Sequence, residues 1–147
     1  MPKISVIMAV YNLKYYVKRA VQSVMAQTFS DFELIVVNDG SDDGSAALLN
    51  ELARQDSRMQ VIHTENRGVA RARNTGIEQA SGAWLAFLDG DDFYYPHALE
   101  TMYAKTGDCD IVVANFEQVF AEEMGPPFYH LPTEEEANRA DRLEGFF

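Results

Sequence analysis

Two acidic loops carry the residues of this sequence whose types and spacing suit chemistry. The apolar run 83–88 leads directly into Asp-Gly-Asp-Asp, with carboxylates at Asp89, Asp91 and Asp92. An unbroken apolar run is typical of a strand buried on both faces of a parallel sheet, and ligands bind at the carboxyl ends of such strands. Neighbouring carboxylates repel one another, and a divalent cation with a polyanionic ligand relieves that repulsion. The segment therefore predicts a metal-assisted site for a phosphorylated ligand.

The second acidic loop follows the apolar run 32–37 and contains Asp39, Asp42 and Asp43. Its residues also suit a turn and the cap of a following helix, so a structural interpretation stays open beside a functional one. A cap accounts for one carboxylate, however, and each loop carries three. Because parallel strands end at one edge of a sheet, we expect the two loops to face a common site.

Three arginines, Arg67, Arg71 and Arg73, surround the predicted start of a helix in an otherwise acidic sequence. They form either a solvated basic face that balances the acids or a binding element. In the second case Arg71 or Arg73 reaches a phosphate or a loop carboxylate, aided by the positive end of the helix. The histidines at positions 63, 97 and 130 lack metal-ligand and Ser-His-Asp spacing, and we expect no catalytic role for them.

Two other binding motifs do not match. A calcium-binding hand needs a bidentate Glu at its twelfth position, where the loop from Asp39 has Asn50. The loop from Asp89 has aromatic residues at its fifth and sixth positions, which also excludes that hand. A dinucleotide fingerprint needs a glycine-rich turn after the first strand, and the first glycine is Gly40.

Apolar runs alternate with amphipathic segments, and these elements must position the loops. The predicted strands are residues 4–10, 32–37, 59–63, 83–88 and 111–115, and the predicted helices are 14–27, a segment carrying Leu48, Leu49 and Leu52, 69–80 and 96–106. A last polar helix is expected between Thr133 and Gly145. This alternation indicates an α/β fold with a mainly parallel sheet and helices on both faces.

The composition is that of an ordinary globular protein of about one domain. The net charge of −11 argues against nucleic-acid binding. Cys109 is the one cysteine, which fits a reducing compartment. The start of the sequence has no secretory signal pattern and no run reaches transmembrane length, so we expect a soluble, cytoplasmic protein without a transmembrane segment.

Four motifs, in order along the chain, resemble the family 2 glycosyltransferases, enzymes of the GT-A fold. They are SVIMAVYN at 5–12, VVNDGSDDGS at 36–45, NRGVARARNTG at 66–76 and FLDGDD at 87–92. The resemblance runs from residue 3 to about residue 116. Ala9 stands where the family usually has Pro, a departure that loosens the turn. The matched part corresponds to the N-terminal, nucleotide-sugar-binding part of these enzymes.

The resemblance implies transfer of a sugar from a nucleoside diphosphate sugar, most often a UDP-sugar, to a glycan, a lipid-linked carbohydrate or another acceptor, as in polysaccharide biosynthesis. By similarity, Val10 and Tyr11 would line the nucleobase pocket. Asp39 would hydrogen-bond the base edge, and Arg71 would lie near the nucleotide.

By the same similarity, residues 89–91 would form the DxD motif of the family. Asp89 would contact the ribose or the water shell of the metal, and Asp91 would coordinate Mn²⁺ or Mg²⁺ across the diphosphate. Such a cation stabilises the charge that develops on the departing nucleoside diphosphate. Asp92 is expected to cap the next helix or to shape the loop.

The resemblance divides the chain into a donor-binding α/β domain, residues 1–120, and an acidic tail, residues 121–147, that begins a truncated acceptor-binding region. Inverting members use an acid of the acceptor-binding half as general base. The later acids lie in no recognisable motif, so the base is expected beyond Phe147, and the chain alone is expected to transfer sugar poorly or not at all. Peripheral membrane association fits the family, but no residue here argues for it.

Two alternatives stay open. One is a non-catalytic nucleotide-sugar-binding module that lacks an acceptor half. The other is a phosphatase of the haloacid dehalogenase type, whose nucleophile loop also follows an apolar strand. Phe93, where those enzymes usually have Thr or Val, and the distance of the loop from the first strand argue against this second alternative.

Overall fold

The computed structural model describes residues 1–107 and 109–118. Strands and helices alternate in this part of the chain, and the α/β class is confirmed. The strands are β1 (Ile4–Val10), β2 (Phe32–Asp39), β3 (Met59–Thr64) and β4 (Trp84–Phe87), and the helices are α1 (Val17–Met25), α2 (Ser45–Ala53), α3 (Val69–Gln79) and α4 (Ala98–Tyr103).

The four strands form one parallel sheet in the order β3-β2-β1-β4. On one side of β1, Val10 aligns with Asn38 of β2, and on the other side residues 4–7 pair with β4. Asp39 at the end of β2 aligns with Thr64 of β3. Because all four strands run the same way, the two acidic loops leave the sheet at one edge, on either side of the end of β1.

One face of the sheet carries the larger core. Ile4, Val6, Met8 and Val10 alternate along β1 and pack there with buried apolar residues of α1, α2 and α4. The intervening residues of β1 are covered by α3 on the opposite face, so the strand needs apolar residues at almost every position. This double burial explains why the sequence of β1 does not alternate between polar and apolar residues.

α3 packs closely on the second face of the sheet. Ile7, Ile35, Val37 and Ala72 form the core on that side. Gly76 permits the close approach, because an added Cβ would lie 2.6 Å from Cγ2 of Ile7. This packing brings the first turn of α3 to the edge where the acidic loops lie.

β4 differs from the strand that the sequence predicts. Leu85 and Phe87 are 41% and 48% exposed on the face that carries α3. The expectation of burial on both faces is therefore wrong for this strand within the described residues. The reason is that α3 packs mainly on β1 and β2 and leaves that face of β4 open.

The predicted strand at residues 111–115 is also wrong. Residues 111–118 form neither strand nor helix, and Ile111 and Val113 are 78% and 88% exposed. No strand in the described part of the chain pairs with this segment. A β-branched sequence forms a strand only against a neighbouring strand, and local pattern cannot supply one.

Two predicted helices are longer than the observed ones. The segment 14–27 contains the shorter α1, and the N–H of Lys14, ahead of this helix, donates to Asp43 in the loop after β2. The segment 96–106 contains α4. The predicted helix between Thr133 and Gly145 and the tail 121–147 lie outside the described residues. None of the helices described has both the length and the apolar character that crossing a bilayer requires.

Candidate functional site

A cavity of about 460 Å³ opens at the carboxyl edge of the sheet. Its walls come from the end of β1, the end of β2, the acidic loop after β4 and the start of α3. Six residues singled out in the sequence line it: Val10, Tyr11, Asp39, Arg73, Asp89 and Asp91. Residues that are far apart in the chain thus meet at one place, as the parallel arrangement predicts.

The loop after β1 is held against the loop after β2 by hydrogen bonds. The backbone N–H of Asn12 donates to Oγ of Ser41 at 3.0 Å, and Oδ1 of Asn12 accepts from the N–H of Asp42 at 2.9 Å. Asn12 has a φ of 53°, a left-handed conformation that asparagine tolerates better than most residues. These contacts fix the wall of the cavity beside Tyr11.

Asp43 has a structural role in the same contact. Its carboxylate accepts hydrogen bonds from the backbone of Lys14 and from the hydroxyl and backbone of Ser45 at the start of α2. Burial opposes ionisation, but the hydrogen bonds outweigh it, and the pKa of Asp43 lies below its ordinary value. For Asp43, the structural interpretation of the acidic loop is therefore correct.

Asp39 is 3% exposed, and its carboxylate organises the loop that leads into α3. Oδ1 accepts from the backbone N–H of Arg67 at 2.9 Å, and Oδ2 accepts from that of Gly68 at 2.8 Å. Thr64 Oγ1 lies 3.3 Å from Oδ1. A carboxylate is also favourable near the positive end of α3. Asp39 thus lines the cavity and also holds the loop that forms one of its walls.

The acidic loop after β4 lies directly on the end of β1. Gly90 is buried there, and an added Cβ would lie 2.9 Å from Cδ1 of Leu13 and 3.0 Å from Cγ2 of Val10. The backbone N–H of Asp92 donates to the carbonyl of Asp89 at 3.0 Å and closes a turn. Gly90 therefore sets how deep the two flanking carboxylates sit.

Tyr94 supports the acidic loop from the side of the larger core. Its hydroxyl donates to the carbonyl of Phe87 at 2.8 Å, and its ring packs against the larger core. Burial raises the pKa of the Tyr94 phenol above its ordinary value, so the phenol stays protonated and donates.

Of the two arginines proposed to reach the site, Arg73 makes the contact. Its Nη2 lies 2.5 Å from Oδ1 of Asp89. Arg71 lines a second cavity, of about 260 Å³. Asp39 lies between the two cavities and lines both. Residues two apart on a helix point in different directions, so Arg71 and Arg73 cannot both face the acidic loop. Helical periodicity alone does not say which of them does.

Negative charge accumulates at the tip of the acidic loop. Asp91 is exposed and lines the cavity, and no hydrogen bond or ion pair joins its carboxylate to another residue within residues 1–107 and 109–118. Burial raises the pKa of Asp92, and the nearby charges of Asp91 and Asp89 raise it further, opposed by Arg19. Among the residues that the structure describes, the carboxylate of Asp91 therefore has no hydrogen-bond or ion-pair partner and lies near other negative charges.

Asp89 and Asp91 are the residues here that fit a divalent cation. In the part of the chain that the structure describes, no group of three or more His, Cys, Asp or Glu residues is arranged to hold a metal ion. Mg²⁺ and Mn²⁺ need no such group, because they bind through one or two carboxylates together with substrate phosphates and water. The open carboxylate of Asp91 meets that requirement.

The sequence reasoning missed Arg19. This residue of α1 is 5% exposed, and its Nη2 donates to the backbone carbonyl of Asp91 at 3.0 Å. The available signal was a basic residue at a helical position between the buried Val17 and Val21, where a solvated charge is out of place.

His63 and His97 do not line the cavity. His63 contacts Asn38 and Asn50, and His97 lies near Thr28 and Glu100. The expectation that they have no catalytic role stays a prediction, and His130 lies outside the described residues.

Comparison with known proteins gives a consistent result. A family model described as Glycosyl transferase family 2 matches residues 5–145. The chain is 42% identical over 120 residues to the putative glycosyltransferase EpsH of Bacillus subtilis, covering 81% of this chain and 35% of EpsH.

Two solved structures resemble the described fold. S. aureus TarS 1–349 in complex with UDP-GlcNAc has a TM-score of 0.65 and 30% identity, over 69% of this chain and 30% of the TarS chain. The mannosyltransferase PcManGT from Pyrobaculum calidifontis, in complex with GDP-Man and Mn²⁺, has a TM-score of 0.60 and 25% identity, over 66% of this chain and 29% of that one.

The described fold, together with these relatives, is the GT-A fold of glycosyltransferases. Within that class, the chain belongs to glycosyl transferase family 2. The resemblance inferred from the four motifs is confirmed, and the haloacid dehalogenase alternative is wrong. The chain spans about a third of the length of EpsH.

Proposed function

We propose that this chain is the donor-binding part of an enzyme that transfers a sugar from a nucleoside diphosphate sugar, with UDP as the first candidate nucleotide, to a carbohydrate or lipid-linked acceptor, assisted by Mn²⁺ or Mg²⁺. One observation carries the proposal: Asp39, Asp89 and Asp91 converge from two loops on one cavity of about 460 Å³. A cavity of that size is in the range of small-molecule sites. The complex of S. aureus TarS with UDP-GlcNAc supports a UDP-sugar.

The nucleobase is assigned to the wall formed by Val10, Tyr11 and Asp39. Tyr11 is half exposed and offers an aromatic surface to a planar base. An ionised carboxylate has about four acceptor positions. Backbone amides occupy one on each oxygen of Asp39, and the hydroxyl of Thr64 donates to Oδ1 as well. A further acceptor position on Asp39 suits an N–H of the base edge. We assign Arg71, in the adjoining cavity, to the rim of this subsite.

The diphosphate is assigned to the space between the acidic loop and the start of α3. Gly68 and Val69, at the start of α3, line the cavity, and the N-terminal end of a helix favours an anion. Arg73 holds Asp89 and partly neutralises it, while Asp91 keeps its carboxylate open for metal coordination. A bound divalent cation would stabilise the charge on the departing nucleoside diphosphate. Mn²⁺ with GDP-Man in PcManGT supports such assistance.

Acceptor binding and the general base belong to the part of the enzyme outside the donor site in this proposal. Residues 1–120 form the donor domain, 121–147 begin the acceptor-binding region, and the base lies beyond Phe147. The length of EpsH relative to this chain supports that division. We place the enzyme in the cytoplasm, in keeping with the lone, unpaired Cys109.

Calorimetric titration of the chain with UDP, GDP, CDP and dTDP, each in Mn²⁺ and in EDTA, tests the donor assignment. We expect one nucleotide to bind in a metal-dependent manner. Asp91→Ala should abolish the metal-dependent part of binding. Asp39→Asn should weaken binding both in Mn²⁺ and in EDTA, because it changes a hydrogen-bond acceptor for the base and not a metal ligand.

Asp42→Ala is the matched control, because Asp42 lies in the same loop as Asp39, is exposed and does not line the cavity. Circular dichroism melts verify that each variant is folded. Failure of a folded wild-type chain to bind any of the four nucleotides would overturn the proposal. Metal-dependent binding by a longer gene product that never transfers sugar to any acceptor would favour the non-catalytic module.

A further inference from the structure

α1 presents a row of buried polar side chains to the segment after β4. Arg19, Ser23 and Gln27 are spaced four residues apart and are 5%, 2% and 7% exposed. Residues at this spacing share one face of a helix, and the row continues just past the end of α1 at Met25. Polar groups are stable in such a position only when they find hydrogen-bond partners.

All three side chains bond to the backbone of the segment that contains the acidic loop. Nη2 of Arg19 donates to the carbonyl of Asp91 at 3.0 Å. Oγ of Ser23 accepts from the N–H of Tyr94 at 3.1 Å. Because these bonds reach backbone atoms, they fix the path of the segment rather than the choice of its side chains.

Gln27 completes the row at its far end. Its Nε2 donates to the carbonyl of Tyr95 at 2.7 Å, and its Oε1 accepts from the N–H of Leu99 at 2.9 Å. The side-chain amide therefore joins the end of the loop segment to the start of α4. The loop is held at several points, and Arg19 holds it at the point nearest the open carboxylate.

Arg19 also brings a positive charge beneath the loop. Its guanidinium carbon lies 4.4 Å from the ring centroid of Phe93, a cation–π contact. The nearby carboxylates of Asp92 and Asp91 attract the guanidinium group. The cation is thus enclosed by the loop that it contacts and partly balances the negative charge there.

We infer that Arg19 is a positioning residue for the donor site: from beneath the acidic loop it holds the backbone of Asp91 and balances the charge of the loop, which keeps the Asp91 carboxylate in the cavity. This role rests on the proposed function. Arg19 lies outside the cavity and acts through Asp91. Ser23 and Gln27 hold the part of the segment that follows Asp91 in the chain.

UDP titrations of Arg19→Met and Arg19→Lys, in Mn²⁺ and in EDTA, test this inference. Arg19→Met should lose about tenfold or more of its affinity in Mn²⁺, while the weaker binding in EDTA changes less than about twofold. Arg19→Lys should recover part of the loss, because it keeps the charge but has a different donor geometry. Arg54→Met is the control, because Arg54 is exposed on α2's C-terminal side and away from the cavity.

A readout that needs no nucleotide accompanies the titration. Amide hydrogen exchange of Asp92, whose N–H donates to the carbonyl of Asp89, should become faster in Arg19→Met and stay unchanged in Arg54→Met. If Arg19→Met unfolds, Arg19→Lys decides both measurements.

The outcomes separate the two proposals. If the folded wild-type chain binds none of UDP, GDP, CDP and dTDP, the proposed function is overturned and, with it, the donor-site role of Arg19. If the wild type binds, equal losses in Mn²⁺ and EDTA overturn the inference alone, because they indicate a general effect on the fold. Unchanged exchange at Asp92 together with unchanged affinity overturns it as well.

Discussion

Arg73 of α3 and Asp89 of the acidic loop form an ion pair, with Nη2 of one 2.5 Å from Oδ1 of the other. The pair joins a helix that packs mainly on β1 and β2 to the loop that follows β4, across the mouth of the cavity. The side chains are 38% and 48% exposed, and an ion pair in that setting adds only about 0–1 kcal/mol to stability. Its importance lies in where it holds Asp89.

Arg73→Met is therefore expected to affect binding more than folding. The free energy of unfolding should fall by less than about 1 kcal/mol. Affinity for UDP in Mn²⁺ should fall about tenfold, because Asp89 loses its fixed position and its neutralising partner. Urea melts and calorimetry measure the two quantities, with Arg54→Met as control. A large loss of stability with unchanged affinity would contradict this prediction.

Asp91→Asn should remove metal-dependent binding without lowering stability. The Asp91 carboxylate raises the pKa of Asp92, after the larger effect of burial, which shows that like charges interact unfavourably in this loop. Removing the charge should leave the free energy of unfolding in EDTA unchanged or raise it by up to about 0.5 kcal/mol.

The same substitution should abolish the metal-dependent part of nucleotide binding. Thermal melts in EDTA with matched titrations in Mn²⁺ test both statements. A fall in stability of more than about 1 kcal/mol would mean that Asp91 supports the fold rather than the site. Asp42→Asn, in the other acidic loop, provides the comparison.

Gly90→Ala should push the acidic loop away from β1. The new Cβ would meet Cδ1 of Leu13 at 2.9 Å and Cγ2 of Val10 at 3.0 Å. Overpacking of this kind costs about 1–3 kcal/mol, and we expect the lower end because the Leu13 side chain can move. Nucleotide affinity should fall together with stability, since both carboxylates move with the loop.

Two variants make the Gly90 prediction sharper. Gly107→Ala should have little effect, because no atom of the described residues lies within 4 Å of its added Cβ. The double variant Gly90→Ala with Leu13→Ala should bind nucleotide better than Gly90→Ala alone, because it removes Cδ1 of Leu13, the atom nearest to the new Cβ. The prediction would be wrong if the double variant bound no better than Gly90→Ala.

Glu33→Gln should reveal a pH-dependent contribution to stability at the opposite end of the sheet. Oε1 of Glu33 accepts from Oγ of Ser5 at 2.6 Å and from the N–H and Oγ of Ser81 at 2.7 and 2.9 Å. Burial opposes ionisation, but these hydrogen bonds outweigh it and hold the pKa of Glu33 below its ordinary value of 4.5. Because the pKa is lower in the folded state, the ionised side chain stabilises the fold above the ordinary pKa.

That contribution should disappear as the pH falls through the pKa of the folded state. At pH 7, Glu33→Gln should lower the free energy of unfolding by about 1–2 kcal/mol, and the difference should shrink toward about pH 3. Urea melts across that range, with the exposed Glu51→Gln as control, provide the measurement. A difference that is constant with pH would show that ionisation of Glu33 plays no part.

Much of the fold was predictable from local patterns. β1 is apolar at every position except Ser5 because both of its faces are covered, and α3 follows the predicted segment 69–80 almost residue for residue. The edges of the sheet were not predictable. The exposed face of β4 at Leu85 and Phe87, and the absence of a strand at 111–118, depend on which elements lie alongside them.

The candidate site was predictable to the level of its loops. Sequence alone placed Asp39, Asp89 and Asp91 at one sheet edge, because carboxyl ends of parallel strands must meet there. It left the choice between Arg71 and Arg73 open, and it did not find Arg19. Both depend on the direction in which a helix presents a side chain to a distant loop.

By itself, then, the sequence determined the alternation of strands and helices, the common edge of the acidic loops and the family, because each of these follows from local periodicity or from short motifs. Only the tertiary structure decided that Asp43 supports the loops while the carboxylate of Asp91 faces the cavity. It also decided that Arg73 pairs with Asp89 and that a buried arginine of α1 contacts the backbone of the acidic loop. These are contacts between segments far apart in the chain, and their geometry is set by how helices pack on the sheet rather than by any local pattern.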